Sequence, residues 1–77
     1  MNVNLAPSID TILAPACRAL FGGTPSELSI ALRQSSRLRS SFARTFALSM
    51  FDARRDGDVA KAERVAANTL AAIEGGA

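Results

Sequence analysis

Histidine, tryptophan and tyrosine are missing from this chain, and cysteine occurs once, at position 17. Each absence removes a class of chemistry. Without His there is no imidazole base, no Cys–His or Ser–His relay, and no ordinary zinc ligand set. Cys17 therefore lacks a base that would make it a nucleophile. One Cys builds no disulfide framework and fits a reducing compartment. With neither Trp nor Tyr, only four Phe remain as aromatic rings, which weakens base stacking and membrane-interface anchoring alike. Gly (5) and Pro (3) are too few for a low-complexity disordered chain. The longest apolar stretch, residues 9–21, is too short to span a membrane and is broken by Asp10, Pro15 and Arg18. No basic residue precedes it, as a secretory signal requires. Gly22-Gly23 is not followed by the Lys of a phosphate-binding loop. The expectations are no catalytic residue, no cofactor, no metal, no small-molecule substrate and no membrane, in a cytoplasmic protein.

What remains is helix-forming and basic. The 77 residues carry a net charge of +2, and eight of the nine basic residues are Arg. Ala supplies 15 of the hydrophobic residues, so large apolar side chains are scarce and the core is thin. A second copy or a partner would add buried surface, so a homo-oligomer is expected.

Strand signals are weak, because alternation with period two never persists. Residues 1–7 read as a flexible arm. Ser8 caps a helical segment, 8–22, in which Pro15 predicts a kink or a division into two short helices. Gly22-Gly23 ends it. Thr24-Pro25-Ser26-Glu27 is a capping box with Pro at the first helical position. A long helix is expected over 25–55, with a break at residues 34–36 as the alternative, since Ser competes for local backbone hydrogen bonds. On a continuous helix Leu28, Ala31, Leu38, Phe42, Thr45, Phe46, Ser49 and Ala53 share the apolar face. Asp56-Gly57-Asp58 is a turn, and Asp58 caps a last helix over 59–74. Its apolar face is Val59, Ala62, Val65 or Ala66, Leu70 and Ile73. The expected fold is all-α: a small helical bundle with a long antiparallel helical hairpin and a shorter N-terminal segment.

Two local patterns resemble known motifs. Residues 52–63 resemble an EF-hand loop at Asp52, Asp56, Gly57, Val59 and Glu63, with Phe51 before them. Arg54 and Ala60 stand where a calcium loop needs polar ligands. Within 24–42, Glu27-Leu28, Leu32 and Ser35 resemble the first helix and turn of a DNA-binding helix-turn-helix. Arg33, Gln34 and Arg39 depart from that pattern and favour continuous helix.

The candidate contact residues lie on the long helix. Arg33, Arg37, Arg44 and Arg55 fall within about 40° of one another if the helix is continuous, and can take carboxylates or phosphates. Leu48 and Phe51 point to the same side and can anchor an apolar contact. The expected function is a small non-enzymatic protein-interaction module. It docks this face on an acidic or mixed protein surface to regulate or inhibit the partner, as small bacterial and phage accessory proteins do. The alternative is nucleic-acid (DNA) binding through Arg33, Arg37, Arg39 and Arg44.

Overall fold

The structure is a computed structural model that describes residues 8–34, 38 and 40–75. The expected arm, residues 1–7, lies outside the described residues, as do Arg37 and Arg39. Four α-helices follow one another: α1 (Ile9–Phe21), α2 (Leu28–Arg33), α3 (Ser41–Asp56) and α4 (Val59–Glu74), with a 3₁₀ turn, Pro25–Glu27, leading into α2. The described residues contain no strand. The expected all-α bundle is what forms.

Local chemistry sets the boundaries. The Ser8 hydroxyl accepts the Thr11 N–H at 3.1 Å, and Asp58 Oδ1 accepts the Lys61 N–H at 3.0 Å. Each satisfies a donor that the first helical turn leaves without a partner. Glu27 reaches back to the Thr24 N–H at 2.8 Å. The Glu27 N–H goes to the Thr24 carbonyl, which tightens this first turn to 3₁₀. Gly22 and Gly57 take the left-handed conformation, with φ of 72° and 66°. Their N–H groups return to carbonyls of the helices they end, Arg18 for Gly22 and Ala53 with Arg54 for Gly57. Pro15 does not divide α1, which runs unbroken from Ile9 to Phe21. Pro15 is exposed, so water can reach the Thr11 carbonyl that the missing N–H leaves unpaired.

The continuous helix over 25–55 does not form. α2 stops at Arg33, Gln34 turns to an extended conformation (φ −102°, ψ 100°), and α3 begins afresh at Ser41. Ser40 is its cap, accepting the Ala43 N–H at 3.0 Å. The physical reason is burial. One helix of 31 residues would be about 46 Å long, whereas a 16-residue helix such as α4 is about 24 Å. Leu28 and Ala31 would then overhang the core. With the break, α2 packs against α3, and Leu28 and Ala31 are both buried.

α1, α3 and α4 each contact the other two. Between them lie Leu13, Ala16, Cys17, Ala47, Met50, Ala53, Ala62 and Ala66, joined by Leu28, Ala31 and Leu38. The buried Thr69 hydroxyl donates to the Val65 carbonyl at 2.7 Å, one turn back in α4. Along α4 the expected face is largely the buried one, though Val59 stays exposed. Along α3 Ala53 of the expected face is buried, but the rest is rotated: Ala43, Ala47, Met50 and Phe51 face the core. Phe42 and Phe46 are half-buried and meet each other edge to face, their ring centres 5.1 Å apart.

Candidate interaction surface

The break in the helix takes the arginine stripe apart. Arg33 is exposed at the end of α2, while Arg44 and Arg55 are exposed on α3. Arg37 lies outside the described residues, so its place beside them is an expectation from sequence only. At 100° per residue Arg44 and Arg55 remain within about 20° of each other on α3, but their surroundings differ.

Arg44 lies in the first turn of α3 and reaches back across the link. Its Nη1 donates to the Leu32 carbonyl at 2.9 Å. That carbonyl belongs to the last turn of α2, where the helix leaves acceptors without partners and carries partial negative charge. One guanidinium thus closes α2 and brings Arg33 and Arg44 to the same end of the molecule. Arg55 is bound up with acids at the far end of α3: Nε to Asp56 Oδ1 at 3.1 Å and Nη1 to Asp52 Oδ1 at 3.2 Å. The hydrogen bond to Asp56, then the charges of Asp56 and Asp52, hold Arg55 more firmly protonated. Its positive charge is therefore offset locally.

Charge is distributed very unevenly along the chain. Arg33, Arg37, Arg39 and Arg44 fall within twelve residues that contain no acid, while the rest of the chain holds five basic and seven acidic residues. The net positive charge of the protein resides in that segment. Sequence reading identified its arginines but assigned them to a helical stripe. The alternative drawn from the serines, a break beginning at Gln34, is the arrangement found: the chain leaves the helix at Gln34 and α3 starts behind the Ser40 cap.

The two apolar candidates also separate. Leu48 is 44% exposed. Phe51 is half-buried and packs against the core. It is a structural side chain with one accessible edge and no longer a free anchor. Ile30 (45%) and Val59 (39%) are exposed too, on α2 and α4.

The acidic cluster is likewise accounted for. Asp52 and Asp56 are helical and paired with Arg55, and Asp58 caps α4. The first five positions of the EF-hand-like stretch are therefore wound into α3 and do not curl around an ion. The helix-turn-helix pattern fares no better: α2 has six residues and seven more separate it from α3, longer than the three- or four-residue turn of that motif. Among the described residues no group of three or more His, Cys, Asp or Glu is placed to hold a metal, and no pocket is enclosed. No described helix is long and apolar enough to cross a membrane. No protein-family model, curated protein or solved structure matches the chain.

Proposed function

We propose that the protein is a small non-enzymatic interaction module that sets its Arg33–Arg44 end on an acidic face of a partner protein and so regulates or blocks it. The reading rests on one observation: four arginines with no intervening acid, in a segment whose two ends are drawn together by the bond from Arg44 to Leu32. Guanidinium groups match carboxylates in planar, two-point contacts. Charge of one sign at one end of a small protein also speeds and orients encounter with an opposite surface. Leu48, one turn along α3 from Arg44, supplies apolar contact beside it. The cytoplasm, where a single unpaired Cys is at home, is the proposed location.

The four-arginine segment also favours a second reading, nucleic-acid binding through phosphates. Salt separates the two, because each phosphate neutralised contributes about 0.9 to the slope of log affinity against log salt. Anisotropy titrations of a dye-labelled Glu-rich peptide and a dye-labelled duplex, with wild type and an R33E/R37E double variant, test both. The first reading expects peptide binding that the variant weakens at least about tenfold. The second expects duplex binding whose affinity falls steeply and linearly with salt. Binding of neither probe at about 50 mM salt, where such electrostatic contacts are strong, would remove both.

A further inference from the structure

We propose that Arg44 is the side chain that selects the partner, by taking one carboxylate of an acidic protein segment in a two-point contact through its Nε and Nη2. This role rests on the reading of the basic end as a contact surface, and names the group within it that recognises the partner.

The three arginines of α3 use their guanidinium groups differently. Arg54 holds Asp10 side-on, with Nε to Oδ1 at 2.8 Å and Nη2 to Oδ2 at 3.3 Å. Arg55 directs Nε to Asp56 and Nη1 to Asp52. Arg44 donates through Nη1 alone, to the Leu32 carbonyl at 2.9 Å. Its Nε and Nη2, the same pair of atoms with which Arg54 grips Asp10, bond to no described residue, and the side chain is exposed.

The sequence explains why that pair stays open. The residues one turn away from Arg44 on α3 are Ser40, Ser41, Ala47 and Leu48, so no acid of its own helix lies at the spacing that forms an ion pair. Arg55, by contrast, has Asp52 three residues before it. The acids nearest to Arg44 along the chain are Glu27 and Asp52. Glu27 is bonded to the Thr24 N–H. Asp52 is paired with Arg55 and stands about 12 Å further along the helix axis. The chain thus carries no carboxylate of its own for this fork.

The bond to Leu32 does more than close α2. A long side chain loses rotamer freedom when a ligand immobilises it. Arg44 has given up part of that freedom already in the folded chain, whereas Arg33 makes no bond to a described residue. A contact through Nε and Nη2 of Arg44 therefore costs less ordering than one through Arg33. Two N–H groups in one plane match the two oxygens of a carboxylate, and Asp10 on Arg54 shows that fit within this chain. A nucleic-acid duplex would draw on all four arginines alike, since each phosphate is neutralised separately. One ordered fork suits one acidic side chain of a protein.

The test is the anisotropy titration of a dye-labelled Glu-rich peptide with the purified full chain, as wild type, R44K and R33K. Both variants keep the charge, but a lysine ammonium is a point charge without a fork. R44K should weaken binding about tenfold, and R33K less than about twofold. Arg44 also bonds to Leu32, so circular dichroism checks that R44K is folded. A second measurement needs no variant. In heteronuclear NMR spectra of wild type, the peptide should shift the Nε–H resonance of Arg44 and leave that of Arg33 nearly in place. A wild type that binds the peptide while R44K and folded R33K lose affinity equally, or while the two resonances move alike, would overturn the proposal and leave the proposed function standing. A wild type that binds no peptide would overturn both. A duplex that shifts the Arg44 resonance where the peptide does not would make the bound group a phosphate, and the carboxylate proposal would fall.

Discussion

Cys17 Sγ lies 3.9 Å from Met50 Sδ, and neither residue is reached by solvent. Burial, reinforced by the charge of Asp10 and partly offset by Arg54, pushes the thiol from an ordinary 9.0 up to about 12. A thiol that is neutral and enclosed is neither a nucleophile nor a metal ligand. The raised value makes stability depend on pH in a definite direction. In the folded chain the proton is held until about pH 12, whereas the unfolded chain releases it near 9.0. The contribution is full below pH 9 and is lost progressively between there and about 12. Urea midpoints should therefore fall on going from about pH 8 to about pH 10.5, and C17A should flatten that fall. An unchanged slope in C17A would assign the loss to other groups. Arg54 shows the opposite kind of side chain. It makes two hydrogen bonds to Asp10, at 2.8 and 3.3 Å, and joins α3 to α1. Both partners are more than two-fifths exposed, so the pair contributes at most about 1 kcal/mol and less in salt.

Among the elements, the ends were more legible than the faces. Ser8, Thr24 with Glu27, Gly22, Gly57 and Asp58 all act where turn and cap chemistry places them, because a helix end is a local problem of unpaired N–H and C=O groups. The same rule locates the start of α3 at Ser40. S40A should lower stability by about 1 kcal/mol, read as a shift in thermal midpoint. S41A, which removes a hydroxyl just inside the helix, should be nearly neutral. Equal losses from both would mean that Ser40 is not the cap. Of the buried face of α3, only Ala53 was legible. Phe42 and Phe46 are the strongest apolar signals in that stretch, and pattern reading turns them inward. The fold turns in Ala43 and Ala47, whose small side chains let helices come close, with Met50 filling the space between them, and which partner helix approaches is decided by residues far away in sequence. Assuming one continuous helix compounded the error, since it carried the phase of Leu28 and Ala31 across a break. The candidate site inherited it: Arg33, Arg44 and Leu48 are accessible, Arg55 is offset by its own acids, and Phe51 serves the core.

On the scale of the whole molecule, six of the eleven buried hydrophobic residues among those described are Ala. Each buries little area, so close helix approach compensates for small volume. Such a core leaves little margin, and connections between helices need to be inexpensive. The bond from Arg44 to Leu32 bears on this. It fastens the two ends of the link from outside, much as a clasp joins the ends of a strap whatever its length. Lengthening such a segment costs little, since doubling a loop adds only about 0.6 kcal/mol. Inserting about six Gly and Ser residues after Ser36 should therefore lower the thermal midpoint by only a few degrees. In R44A, where the clasp is gone, the same insertion should cost more, and equal costs would show that it does no fastening. Leu38 apart, which is buried in the core, the basic segment is thus the part of this chain most open to change: residues can be added, lost or exchanged there while α1, α3 and α4 stay as they are, so related proteins could acquire new partners without a new fold.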